Sequence, residues 1–183
     1  MRMRVAAGLF GLIWLVAGWA RGDTIGLYAN TQGTNCNITE NLPLTYVYVV
    51  HVAPGGAAGS EFMAPKPACW TGATWLMDQE PFGQIGNSQV GKSIGYGSCL
   101  VGSIHILTIV YFVQGTAEPC CLYPLLPNPY SPGGQLLVAD CDFNPVVAIG
   151  LASTVNGNPT CPCGYPVPVQ ETTWGGVKAL YTE

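Results

Sequence analysis

Arginine is absent from everything after residue 21: Arg2, Arg4 and Arg21 are the only three in the chain, and the later cations are Lys66, Lys92 and Lys178. Once a leader ending at residue 22 is set aside, three lysines face all ten carboxylates, a formal charge of −7. So few cations cannot neutralise a run of phosphates, which excludes nucleic acid as a partner and leaves little hold on an anionic membrane. Histidine is nearly as scarce, with His51 and His105 alone, so acid–base chemistry has few places to sit. Charged residues make up only 9% of the chain against 49% hydrophobic, a balance that builds a core and argues against disorder.

Long apolar runs are also missing, apart from the first. Arg2 and Arg4 precede an apolar stretch from Val5 to Ala20, and small residues follow at Ala20 and Gly22. At ~16 residues the run falls short of the ~20 that a spanning helix needs, and no stop-transfer flank follows it. It reads as a secretory signal over 1–22, removed before Asp23, with a cut after Ala20 also permitted. Residues 23–183 are then expected to form a single exported domain, secreted, periplasmic or on the cell surface, with no membrane span after cleavage. No cysteine stands at the junction to carry a lipid.

What the chain has in plenty is glycine and proline, 24 and 15 residues spread throughout. Apolar segments between these breakers last five to ten residues, which is the rhythm of strands joined by loops. Strands are expected at 24–29, 44–52 and 104–113, with weaker ones at 61–64, 73–77, 90–94, 121–125, 135–139 and 146–151. In 44–52, Tyr46, Tyr48, Val50 and Val52 share one face and Thr45, Val47, Val49 and His51 the other. The proline-rich stretches 124–134 and 156–168 are expected as excursions. The fold class is therefore all-β: a two-sheet sandwich of immunoglobulin-like or jelly-roll type. A short C-terminal helix, capped by Thr172 or Thr173, would place Trp174, Val177 and Tyr181 on one face.

Eight cysteines, Cys36, Cys69, Cys99, Cys120, Cys121, Cys141, Cys161 and Cys163, all follow the leader. An even number in an exported chain reads as up to four disulfides, with 105 pairings open. Adjacent Cys120 and Cys121 point to opposite sides of an extended segment and should pair elsewhere. Cys161 and Cys163 would close a strained ring with each other. Zinc is not expected, because the C-C and C-x-C spacings lack paired C-x-x-C arms.

Several strings match catalytic or binding motifs without the context those motifs need. Residues 86–93, G-N-S-Q-V-G-K-S, satisfy the phosphate-loop pattern, but no apolar strand feeds the loop and no helix follows it. No nucleotide or other cofactor is expected there; the segment reads as a glycine-rich turn entering a strand, with Lys92 solvated. Residues 91–95, G-K-S-I-G, match the nucleophile elbow of serine hydrolases, again without its helix. A hydrolase using Ser93, His105 and Asp140 is the alternative reading, since unrelated folds order such triads differently. Asp140, Asp142 and Asn144 alternate as calcium ligands do, but Pro145 and Leu151 replace the glycine and closing glutamate of the helix–loop–helix site, leaving only a loose calcium candidate. Trp70, Trp75, Tyr96, Tyr130 and Trp174 are candidates for stacking on a glycan.

The strings D-T-I-G-L-Y-A, P-A-C-W-T-G-A-T-W, I-G-N-S-Q-V-G-K-S-I-G-Y-G-S-C and V-P-V-Q-E-T-T-W-G-G-V-K-A-L-Y resemble a group of uncharacterised secreted β-sandwich proteins of environmental bacteria. That resemblance implies no catalytic or ligand residue. More distantly, a long early strand, the Glu61–Phe62 pair and a long late strand resemble cohesin and carbohydrate-binding sandwiches. The expected function is a secreted, non-catalytic module, structural or binding, whose partner is a polysaccharide or a cell-surface protein.

Overall fold

The computed structural model describes residues 22–158, 160, 161, 163 and 164. Eleven strands follow in chain order: β1 (Thr24–Tyr28), β2 (Asn37–Ile38), β3 (Leu44–Phe62), β4 (Ala73–Gln79), β5 (Gly83–Asn87), β6 (Gly91–Val113), β7 (Cys121–Tyr123), β8 (Leu137–Ala139), β9 (Pro145–Val147), β10 (Ile149–Leu151) and β11 (Ser153–Val155). One turn of 3-10 helix, Pro132–Gly134, interrupts them. They form two sheets, one of eight strands and one of three, as an all-β sandwich requires. The expected C-terminal helix, Trp174 and the leader up to residue 21 lie outside the described residues.

The antiparallel pair β3–β6 is the spine of the large sheet, running from Leu44 opposite Phe112 to Phe62 opposite Lys92. Each strand swallows two of the segments expected to be separate. The glycines and proline between those segments in β3 do not end the strand; Pro54, Gly55, Gly56 and Gly59 lie at register shifts between Ala53 and Ala57 and between Ala57 and Gly59. A bulge takes an extra residue and bends the strand, which is where glycine is tolerated in a sheet. Gly56 shows the need directly. It adopts φ +88°, and a Cβ there would lie 2.8 Å from the Cys99 sulfur and 2.6 Å from that of Cys141.

Because the spine bends, its two ends have different neighbours. At one end the order is β10–β1–β3–β6–β4, and at the other β5 adds to β6 while β8 and then β9 add to β3. The three-stranded sheet β2–β11–β7 closes the first end. Between the layers Val47, Val49, Leu27, Ile106, Ile109 and Tyr111 are fully buried beneath Ile38, Tyr123 and Val155. This is the face expected for Thr45, Val47 and Val49, with Tyr46 41% exposed on the other.

All eight cysteines are paired: Cys36–Cys163, Cys69–Cys121, Cys99–Cys141 and Cys120–Cys161. The adjacent Cys120 and Cys121 go to different partners, as expected. The bridges tie loop to loop and loop to strand. Cys99 on β6 holds the turn after β8, and Cys69 fixes the loop before β4 to β7. Four such links stabilise the fold chiefly by restricting the unfolded chain.

Candidate functional site

At the β5 end of the spine, five strands lie side by side in the order β5–β6–β3–β8–β9. Reading across them gives one row of Gly83, Gly95, Gly59, Ala139 and Pro145, and a second of Ile85, Ser93, Glu61, Leu137 and Val147. Side chains in alternate rows point to opposite faces. In the row between them, Ile94, Ser60 and Val138 are buried, while Gln84 and Val146 at its two ends are exposed. Three adjacent glycines therefore leave the outer face of the sheet almost bare. The result is a groove of about 800 Å³, floored by backbone and walled by Ile85, Leu137, Phe143 and Pro145.

The opening is real space, since a Cβ built on Gly95 meets nothing within 4 Å. Ile85 is 79% and Phe143 76% exposed at its rims. One carboxylate interrupts the apolar lining. Ser93 donates its hydroxyl to Oε1 of Glu61 at 3.2 Å, and Ser131 donates to Oε2 at 2.9 Å. Both hydroxyls fix the carboxylate without neutralising it, so a cation arriving from outside meets an oriented, uncompensated charge.

Ser93 is the one member of the expected hydrolase set in this groove. Ser93 stands opposite Glu61, whereas His105 stands opposite Val50. Twelve residues at ~3.3 Å each put about 40 Å of strand between them along β6. His105 instead bonds to Thr108 Oγ1 at 2.9 Å and to the Leu107 carbonyl at 3.1 Å. Burial holds its ring below the ordinary pKa, and the Leu107 carbonyl works against that shift. Asp140 is occupied as well: Oδ1 accepts the amides of Asp142 at 2.9 Å and Asn144 at 2.8 Å, closing its own turn. Those bonds, led by the Asn144 amide, keep its carboxyl below the usual range. Ser93, His105 and Asp140 do not form a triad. Asn144 Nδ2 also bonds back to Asp140, at 3.2 Å to Oδ2, so Asp140 and Asn144 satisfy each other. Among the described residues no group of three or more His, Cys, Asp or Glu side chains converges as metal ligands.

Of the expected stacking residues, the four among the described residues, Trp70, Trp75, Tyr96 and Tyr130, do not assemble into a platform. Trp70 is fully buried, with Nε1 donating to Glu40 Oε1 at 2.5 Å. Tyr96 lies in the core with His51 Nδ1 at 2.8 Å, and burial drives its phenol upward in pKa. Trp75 is half-buried and donates to Asp78 at 3.1 Å, while Tyr130, alone among these four, is open, at 87%. Trp70 and Tyr96 serve packing, which is the ordinary fate of such residues in a sandwich. A polysaccharide partner therefore has no support from them.

The phosphate-loop string forms the β5–β6 hairpin, in which Asn87 Oδ1 accepts the Gln89 amide at 2.9 Å. Lys92 departs from expectation. It is fully buried rather than solvated, with Nζ 3.0 Å from Asp78 Oδ2 and 3.4 Å from Glu80 Oε1. Strand alternation turns it away from the groove side that Ser93 occupies.

Neither a protein-family model nor a curated protein matches the chain. Solved structures similar to it are cohesin modules, in line with the distant likeness expected. One is the sixth cohesin of Acetivibrio cellulolyticus scaffoldin B, solved with a Cel5 dockerin mutant, at 13% identity and TM-score 0.47, covering 75% of this chain and 99% of that one. Another is the cohesin module of a Clostridium perfringens family 33 glycoside hydrolase, at 7% identity and TM-score 0.48, covering 75% and 98%. A non-cellulosomal cohesin from the archaeon Archaeoglobus fulgidus gives 12% identity and TM-score 0.46, covering 74% and 88%. At these values the similarity is one of strand layout and says nothing of what this chain binds.

Proposed function

We propose that the protein is an exported, non-catalytic binding module, and that its partner is a protein presenting an extended segment to the glycine-floored groove. The row Gly83–Gly95–Gly59 is the observation that carries this reading. Bare backbone lets a second main chain approach closely, as no side-chain-covered sheet does. Apolar walls supply contact area, and Glu61 supplies a single polar anchor that selects a lysine or arginine. Four disulfides favour an oxidising compartment, secreted or at the cell surface. Against turnover stands the separation of Ser93 from His105 and the absence of either histidine from the groove lining.

The test is selection of peptides from a random display library on the immobilised domain. Enriched sequences should carry one basic residue flanked by apolar ones, and Gly95→Leu, which fills the groove without touching the fold, should abolish their binding. Glu61→Gln should weaken it at least tenfold and remove its salt dependence. Peptides that bind Gly95→Leu as well as the parent would refute the groove as the site. Hydrolysis of ester, glycoside or peptide substrates that disappears in Ser93→Ala would refute the non-catalytic reading.

A further inference from the structure

A lysine, an aspartate and a glutamate are enclosed together behind the β5–β6 hairpin. Lys92 has no exposed side-chain surface, Asp78 has 5% and Glu80 has 7%. We propose that Lys92 and Asp78 condense into an intramolecular amide, with Glu80 as the proton carrier, so that β4 and β6 become covalently joined through their side chains.

The arrangement around Asp78 is that of an activated carbonyl. Its Oδ1 accepts from the Ser88 hydroxyl at 2.7 Å and from Trp75 Nε1 at 3.1 Å, while Oδ2 accepts the Ser88 amide at 2.7 Å and faces Lys92 Nζ at 3.0 Å. Two donors on Oδ1 stand where negative charge grows as a nucleophile adds to Cγ. Glu80 offers the amine Oε1 at 3.4 Å, and its Oε2 is buried with no hydrogen-bond partner. A carboxylate oxygen sealed from water without a donor is costly as a static feature and suits a group that takes up a proton in passing.

The step balances without any further reactant. Glu80 removes one proton from the Lys92 ammonium; the freed lone pair attacks Asp78 Cγ, forming the Nζ–Cγ bond. Glu80 returns that proton to Oδ2, a second proton passes from nitrogen to the same oxygen, and the Cγ–Oδ2 bond breaks to release water. One proton stays on the amide nitrogen, Oδ1 remains as the carbonyl oxygen, and Glu80 ends as it began. Nothing is oxidised or reduced. Two features drive condensation forward. Groups held in reacting geometry reach effective concentrations of ~10⁵–10⁸ M. The product also replaces the buried Lys92 ammonium and Asp78 carboxylate by a neutral amide, leaving Glu80 as the one carboxylate of the cluster.

Gln84 Oε1, 2.6 Å from Nζ, is the competing acceptor, and its reaction would release ammonia instead of water. The experiment is peptide mass mapping of the exported protein after reduction, alkylation and denaturation. The fragment joining Asp78 to Lys92 should be lighter than its sequence by one water, and trypsin should fail to cut after Lys92. Glu80→Gln should restore the full mass and tryptic cleavage while leaving a folded protein by circular dichroism. Lys92→Met should do the same for the mass. Should either variant fail to fold, the parent's mass still decides. Full mass with normal cleavage after Lys92 in the folded parent overturns the proposal, and loss of ammonia assigns the link to Gln84 and overturns it equally.

Discussion

Tyr111 of β6 and Tyr123 of β7 meet hydroxyl to hydroxyl at 2.6 Å in the interior, joining the large sheet to the small one. Tyr123 also donates to the Ala64 carbonyl at 2.8 Å, and Gln89 Nε2 reaches Tyr111 at 3.2 Å. Burial pushes the Tyr111 phenol up to about 12, so the pair is neutral over the working range of pH. Tyr123→Phe keeps the ring edge-to-face with Trp70 and removes the hydroxyl. It leaves the Ala64 carbonyl without that donor, and the expected cost is roughly 1–3 kcal/mol. Urea denaturation of the two proteins measures it. An unchanged midpoint would mean that the hydroxyl chain does not hold the layers together.

Gly56 and Gly95 lie in the two spine strands and should respond oppositely to alanine. Gly56 takes φ +88° beneath the Cys99–Cys141 sulfurs, so Gly56→Ala incurs backbone strain of roughly 1–3 kcal/mol together with a steric clash. Gly95 faces open space, and Gly95→Ala should stay within about 0.5 kcal/mol of the parent. Thermal melts of both variants, with disulfides intact, compare them. Equal losses would contradict the bulge as the reason for Gly56.

Much of this architecture was legible in the sequence, and the failures share a cause. Alternation in 44–52 sorted the residues into two faces but did not say which turns inward: Thr45 and His51 are buried with Val47 and Val49, Tyr46 is 41% exposed, and Val50 is buried on the opposite face. Gly55, Gly56 and Gly59 in β3, like Gly95, Gly97 and Gly102 in β6, read as punctuation. They are positions where a long strand bends, a distinction that depends on the partner strand. The groove escaped detection for the same reason. Its floor has no functional side chains, and Gly83, Gly95 and Gly59 become neighbours only through register. In sequence Ser93 belongs to a hydrolase string and Glu61 to a Glu-Phe pair, and nothing in either string marks them as partners. Lys92 was misplaced because a lone lysine carries no sign of burial until Asp78 and Glu80 are seen to converge on it.

His51 has no exposed side-chain surface, with Tyr96 Oη 2.8 Å from Nδ1 and Asp23 Oδ2 3.5 Å from Nε2. Burial lowers its pKa below 6.5, outweighing the opposing pull of Asp23. The unfolded chain therefore takes up the proton first as pH falls. The stability contributed by neutral His51 is complete above 6.5 and is lost as pH drops through the lowered folded value. Denaturant midpoints measured from pH 8 to pH 5 should fall at the acid end, and His51→Gln should flatten that part of the curve. A parent midpoint that rises on acidification would mean that Asp23 dominates and that the imidazolium is the favoured form.

Lys92→Ala should be among the most damaging single changes in the molecule. The side chain is fully buried between Asp78 and Glu80, both nearly so, and the cation lies within 3.0 and 3.4 Å of their oxygens. Taking it away leaves two carboxylates facing one another out of water, where an uncompensated buried charge typically costs about 3–5 kcal/mol. Asp78 keeps its bonds from Ser88 and Trp75 after the change, but Glu80 Oε2 already has no partner and Oε1 would lose its own. The cost should therefore appear as opening of the β5–β6 hairpin before global unfolding, with faster hydrogen exchange at residues 84–94. Asp142→Asn, on an exposed turn, is the matched control and should shift stability by no more than about 0.5 kcal/mol. A Lys92→Ala protein as stable as that control would show that the buried cluster contributes nothing to holding the hairpin.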